Sequence, residues 1–194
     1  MSTTQPIRNP EKLREFKTYY QKEHPQIRNY TLCVLGLNTA LRITDILQLK
    51  WGDIYDFSNE RFFSHITVTE RKTGKVNVVA LNSAAKDALT YYMLSINSRP
   101  CAHTFLFVSR KGHNKPIGRC QAFRIIKEAA GAVGLDEHIS CHSLRKTFGY
   151  YAWQQGTPPA LLMNIYNHSS YSITKRYLGI EQDDKDNVFM NISL

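Results

Sequence analysis

Residues 140–150 read SCHSLRKTFGY, which puts His142 and Arg145 three positions apart, next to Lys146. On a helix, positions i and i+3 share a face, so the imidazole and the guanidinium would have Cβ atoms about 5–6 Å apart. Such groups repel each other unless an anion lies between them. The pattern is therefore typical either of a solvated basic face or of a phosphate site, and the short H-x-x-R spacing alone does not decide.

Further residues suited to phosphodiester chemistry occur in order along the chain: Arg42, Lys72, His168 and Tyr177. Arginine binds phosphate oxygens in pairs and stays charged, so Arg42 and Arg145 are candidates for a clamp on the phosphate. Tyrosine has a reference pKa of about 10, so as a nucleophile it needs cationic neighbours or a base. Histidine and lysine can supply the base, the hydrogen-bond donor and the acid.

The elements that must hold these residues are predicted to be mainly α-helical, with a small antiparallel β-sheet. Apolar residues at helical spacing predict helices at about residues 10–24, 26–37, 44–49, 82–96 and 119–133. Arg42 falls at the joint between the second and third of these helices. The alternating stretch FFSHITVTERKTGKVNVVAL predicts a β-hairpin with RKTGK, and thus Lys72, at its tip. The apolar stretch FLFVS predicts a short strand, and Thr157-Pro158-Pro159 predicts the start of a helix. A further short helix is predicted from about Ser172, and it carries Tyr177.

The ordered set of Arg42, Lys72, His142-x-x-Arg145, His168 and Tyr177 resembles the catalytic domain of the tyrosine recombinases, the phage integrase family. The resemblance runs over residues 26–180. His168 and Tyr177 are nine positions apart, and this spacing is similar to the close spacing of the corresponding residues in the family. It implies the tyrosine recombinase catalytic-domain fold. It also implies a site-specific DNA recombinase or integrase that cleaves and rejoins strands through a 3′-phosphotyrosine intermediate, with no metal or other cofactor.

The resemblance implies one role for each residue. Tyr177 is the expected nucleophile, assisted by His142, while His168 donates to a phosphate oxygen. Lys72 is the expected acid for the departing 5′ oxygen, but Lys75 lies on the same turn and stays an alternative.

Asn167 departs from the family pattern, since many relatives have glycine directly before the second histidine. Asparagine tolerates the left-handed backbone conformation, so the turn is expected to survive. Asp45, three positions after Arg42, is expected either to orient a basic group or to face a helix dipole. Only about 25 residues precede the resemblance, whereas family members commonly carry a separate N-terminal domain. The chain is either a minimal recombinase or a domain that needs DNA contacts from elsewhere.

The charge balance favours a polyanionic partner, double-stranded DNA above all, because 25 lysines and arginines face 16 acidic residues and leave a net charge of +9. A basic cluster in and just after the loop before the 119–133 helix is predicted to contact DNA phosphates, with a solvated loop as the alternative: Arg110, Lys111, Lys115 and Arg119. No apolar stretch fits a signal peptide or a membrane span, which predicts a cytoplasmic protein, nucleoid-associated when bound to DNA. The four cysteines are scattered without metal-site spacing.

The predicted division is an N-terminal polar segment at 1–25, the catalytic domain at 26–180 and a tail helix at 181–194. The tail carries an apolar stripe of Val188, Phe189 and Ile192, which either folds back on its own domain or is exchanged between subunits. The resemblance implies a homotetramer on two DNA duplexes, with accessory DNA-bending proteins as further partners. Two other functions stay open: a DNA-binding module without recombination, and DNA relaxation like that of type IB topoisomerases.

Overall fold

The computed structural model describes residues 4–135, 138–178 and 189–192. Its helices are α1 Pro10–Lys22, α2 Ile27–Asn38, α3 Ile43–Ile46, α4 Trp51–Ile54, α5 Ser83–Ser95, α6 Arg119–Ala132, α7 Cys141–Gln154, α8 Pro159–Ile165 and α9 Tyr171–Leu178. Its strands are β1 Tyr55–Asp56, β2 Arg61–Phe62, β3 His65–Thr69 and β4 Val76–Ala80. The predicted mainly α fold with small antiparallel sheets is confirmed.

The main core lies around α2, which packs against α1, α5 and α7. Leu32 and Leu35 of α2 are buried there, together with Ile7, Phe16 and Tyr20 from the first 25 residues. Burial of this apolar surface stabilises the helical layer. No helix in the described ranges is long and apolar enough to cross a membrane.

The lysine-bearing hairpin is confirmed. Strands β3 and β4 pair antiparallel from His65–Ala80 to Thr69–Val76. The N–H of Glu70 donates to the carbonyl of Lys75 at 2.9 Å and closes the tip. A second small hairpin, β1 with β2, was not predicted from the sequence.

The strand predicted for FLFVS is wrong. Phe105 and Val108 form only single bridges, to Lys50 and Pro116 respectively. Leu106 and Phe107 are nevertheless fully buried, so this apolar stretch packs in the core without pairing as a strand.

A second, smaller core joins the C-terminal helices α7, α8 and α9. Ala40, Leu162, Tyr166 and Leu178 are buried together in it. A side chain at position 149 of α7 would clash with Tyr166, because the Tyr166 hydroxyl occupies the space where a Cβ on Gly149 would lie. This packing fixes the helix that carries Tyr177 against the helix that carries His142 and Arg145.

Candidate active site

Tyr177 lies directly against His142. Its hydroxyl is 2.7 Å from Nε2 of the imidazole, and the two rings meet edge to face with centroids 5.6 Å apart. His142 stands in the first turn of α7, which Ser140 caps by accepting the N–H of His142. Helix α9 brings Tyr177 to this position through its packing on α7.

Tyr177 and His142 have the protonation states from which a proton transfer from tyrosine to histidine would start, although both pKa shifts oppose the transfer itself. Burial lowers the pKa of His142 to about 4, and the positive charges of Arg145 and Lys146 act in the same direction. Burial raises the pKa of Tyr177, while Arg145 and Arg42 oppose that rise. Near pH 7 the imidazole is therefore neutral and the tyrosine protonated, so Nε2 can accept the phenolic proton when Nδ1 carries the ring hydrogen.

Arg145 is only 1% exposed, and a buried charge must be paired or hydrogen-bonded. Its Nη1 donates to the carbonyl of Ala40, and its Nη2 donates to the carbonyl of Tyr166 at 2.9 Å. The guanidinium also stacks over the Tyr166 ring, 4.7 Å from the centroid. Its Nε is buried and has no hydrogen-bond partner within the described residues.

His168 contacts the nucleophile from another side, with its ring 4.7 Å from that of Tyr177. Its Nδ1 lies 3.0 Å from the hydroxyl of Thr174, which is fully buried. Burial lowers the pKa of His168 to about 4, with Arg145 adding to the effect. If the Thr174 hydroxyl donates to Nδ1, the neutral ring carries its hydrogen on Nε2 and can give it to a phosphate oxygen.

The turn before His168 has the predicted geometry. Asn167 adopts a left-handed conformation with φ of 53°, so the expectation that asparagine keeps this turn is confirmed. The N–H of His168 donates to the carbonyl of Met163 at 3.0 Å and ties the turn to α8.

Arg42 precedes α3 as its N-cap residue, so the predicted joint is confirmed, although the helix runs over Ile43–Ile46 and not over 44–49. Its Nη1 lies 2.5 Å from Oε2 of Glu70, a carboxylate that is fully buried. Asp45 is also buried, and its Oδ1 accepts the main-chain N–H of Arg71 at 3.1 Å. Asp45 thus orients the backbone of the hairpin tip, and it lies in the first turn of α3.

A cavity of about 780 Å³ opens beside these groups, and its lining includes Arg42, Lys72, Arg119 and His142. Lys75 does not line it, and its Nζ instead lies 3.5 Å from the carbonyl oxygen of Asn167. Of the two hairpin lysines, Lys72 therefore faces the space where a phosphodiester would enter.

The predicted DNA-binding residues divide into two places. Arg110, Lys111 and Lys115 are exposed on the loop before α6. Arg119 begins α6 and reaches the same cavity as His142. Among the described residues, no group of three or more histidine, cysteine or acidic side chains could hold a metal ion.

Two residues of the site were missed by sequence reasoning. Ile66 and Val68 of β3 are buried, and Glu70 is the next residue at the same two-residue spacing and is buried too. The spacing indicates burial, but a charged residue is not expected inside a core. Thr174 precedes Tyr177 by three positions on α9 and therefore shares its face, but a lone threonine carries no other signal.

The comparisons with known proteins agree with this fold. The model of the phage integrase family matches residues 9–183. The chain is 42% identical over 183 residues to the probable integrase/recombinase YoeC of Bacillus subtilis, covering 94% of this chain and 93% of that protein. It is 26% identical to tyrosine recombinase XerD of Corynebacterium glutamicum, covering 81% of this chain and 50% of XerD. The crystal structure of XerA recombinase superimposes with a TM-score of 0.76 at 20% identity, covering 98% of this chain and 68% of that one.

The fold and these relatives define a site-specific recombinase of the tyrosine class. The chain belongs to the phage integrase family. It spans nearly the whole length of YoeC but half the length of XerD.

Proposed function

We propose that the protein cleaves and rejoins double-stranded DNA with Tyr177 as the nucleophile. The Tyr177 oxygen attacks the scissile phosphorus, and His142 Nε2 accepts the phenolic proton. The bond from phosphorus to the 5′ oxygen breaks, and Lys72 protonates that oxygen. The products are a 3′-phosphotyrosine and a free 5′ hydroxyl, and attack by the 5′ hydroxyl of another strand reverses the steps.

The positive groups around the nucleophile balance the charge that develops on the phosphate. Arg42 and the positive charge of the buried Arg145 beside Tyr177 act on the non-bridging oxygens, and His168 donates a further hydrogen bond. Fixed donors of this kind need no reorganisation during the reaction and gain strength where DNA excludes water. DNA as the substrate is supported by the solved neighbours, since the structure of the Tn1549 transposon integrase is a complex with transposon right end DNA.

One observation carries the proposal: the Tyr177 hydroxyl lies 2.7 Å from His142 Nε2 beside a buried arginine. A nicked duplex that loses its 5′ end on cleavage should trap a protease-sensitive, slower-migrating DNA band. A second duplex with a free 5′ hydroxyl should then be joined to the cleaved strand. Relaxation of supercoils without such joining would indicate topoisomerase-like activity, and binding without a covalent band would indicate a DNA-binding module.

The pH dependence of cleavage should reflect a histidine base that is neutral in the free enzyme. Because the base acts in its neutral form, activity is lost as pH falls through its folded pKa, which for His142 is about 4. We expect kcat/KM, which reports the free enzyme, to stay flat from about pH 8 to about pH 5 and to fall only below that. His142→Asn should be slow at every pH, and a wild-type midpoint near 6.5 would contradict the assignment.

The basic loop should contribute to the salt dependence of DNA binding. Neutralising any one phosphate-contacting residue among Arg110, Lys111, Lys115 and Arg119 should reduce the log–log salt slope by about one unit. Arg99→Gln is the matched control, because Arg99 already pairs with Glu60 at 2.8 Å. Unchanged slopes in all four variants would mean that this loop is only a solvated basic surface.

We propose that residues 181–194 form a tail that is exchanged between subunits on DNA. Phe189, Met190 and Ile192 are 79%, 83% and 61% exposed, so the described part of their own domain does not cover them; residues 181–188, with Val188, and 193–194 lie outside the described residues. Deleting 181–194 should weaken a higher-order complex, such as a homotetramer on two duplexes, seen by light scattering on a DNA site. Phe189→Ser should weaken it in part, whereas an unaltered complex after deletion would make the tail dispensable for assembly.

A further inference from the structure

Glu70 sits where the lysine hairpin meets the phosphate clamp, and the reaction proposed above gives it no role. Its side chain is fully buried at the end of β3. Oε2 lies 2.5 Å from Arg42 Nη1 and accepts a hydrogen bond from the Thr73 hydroxyl at 2.6 Å. Burial by itself would raise the pKa of Glu70, but Thr73 and Arg42 lower it below its usual value. The carboxylate is therefore charged at neutral pH.

The backbone of Glu70 closes the same loop. Its N–H donates to the carbonyl of Lys75 at 2.9 Å, and its carbonyl accepts the N–H of Gly74 at 2.8 Å. Together with the Thr73 contact, these bonds hold the backbone of the hairpin tip on both sides of Lys72. Lys72 itself is exposed and lines the cavity, so these bonds, with that from the Arg71 N–H to Asp45, fix the backbone from which its side chain extends.

We propose that Glu70 is a positioning residue for strand cleavage, which holds the loop of Lys72 against Arg42 so that the acid and the clamp reach one phosphodiester together. The inference rests on the proposed function, in which Lys72 protonates the 5′ oxygen. A buried ion pair is weak evidence for stability, whereas a fixed lysine loop serves a proton transfer that needs hydrogen-bond reach.

The test compares two leaving groups at the cleaved bond. An ordinary 5′ oxygen needs a proton to depart. A bridging 5′ sulfur does not, because thiols have a pKa of about 8.5 and leave as thiolates. A variant whose defect lies in delivering the proton should therefore recover on the sulfur substrate, and a variant with a damaged clamp or fold should not.

We expect Glu70→Gln to slow cleavage of the oxygen substrate by about 10–100-fold and of the sulfur substrate by less than about threefold. Lys72→Ala should show the same pattern more strongly. Glu60→Gln, which removes an exposed carboxylate paired with Arg99, is the matched control and should match the wild type on both substrates. Equal slowing of Glu70→Gln on both substrates, or no slowing on either, would overturn the proposal.

A second variant guards against loss of folding in Glu70→Gln. Thr73→Val removes the hydroxyl that donates to Glu70 and accepts the Lys75 N–H at 3.3 Å. It should show a smaller defect with the same recovery on sulfur, whereas Thr73→Ser should behave as wild type. A Thr73→Val defect of equal size on both substrates also counts against the proposal. If Lys72→Ala is slowed equally on both substrates, the acid is assigned wrongly and the role of Glu70 falls with it. If Tyr177→Phe still cleaves, the proposed function itself fails.

Discussion

Replacing Tyr177 with phenylalanine should abolish the covalent DNA–protein complex while leaving DNA binding nearly unchanged. The variant loses only the hydroxyl that lies 2.7 Å from His142. The ring contacts with His168 and Tyr166 and the site around Arg145 should persist. The measurement is a denaturing gel of the nicked substrate, with a gel shift of the same DNA to confirm binding.

Two other tyrosines provide matched controls. Tyr171 is half exposed at the start of α9, so Tyr171→Phe should cleave like the wild type. Tyr166 is fully buried, and its hydroxyl donates to the carbonyl of Arg145 at 2.8 Å. Tyr166→Phe should therefore lower stability by about 1–3 kcal/mol but keep the covalent band. A band that survives in Tyr177→Phe and disappears in Tyr171→Phe would move the nucleophile to Tyr171.

The sequence was informative where chemistry and local backbone preference act together. The types and order of the basic residues suggested phosphate chemistry, and strand alternation around RKTGK located Lys72 at a hairpin tip. Asparagine tolerates the left-handed backbone conformation, and this preference explained the turn at Asn167. These predictions depend on a few neighbouring residues, which is why a single chain was enough to make them.

The remaining features depend on contacts between distant segments. The carbonyl partner of Arg145 at Ala40 lies 105 positions away, and no local pattern indicates it. Glu70 is buried and pairs with Arg42 from a separate segment, and the predicted strand at FLFVS failed because its partners are loops. Tertiary packing decides such details, so only the assembled structure reveals them.

Arg145→Lys should reduce cleavage by about 10²–10³-fold, the range found when one fixed charge-stabilising donor is removed. Lysine keeps the charge but has a single nitrogen, so it can reach the carbonyl of Ala40 or that of Tyr166, not both. The unpaired buried carbonyl should also lower the free energy of unfolding by about 1–3 kcal/mol. Single-turnover cleavage and denaturant unfolding measure the two effects.

Arg42→Lys separates catalysis from stability. Arg42 is 13% exposed, and its partner Glu70 lies 2.5 Å away, so a lysine can keep the ion pair while losing the planar fork. The cleavage rate should fall by an amount comparable to that in Arg145→Lys, but the free energy of unfolding should change by less than about 1 kcal/mol. DNA affinity should fall far less than cleavage in both variants, because a transition-state interaction affects the rate and not ground-state binding. Equal losses of affinity and cleavage would mean that the two arginines serve binding alone.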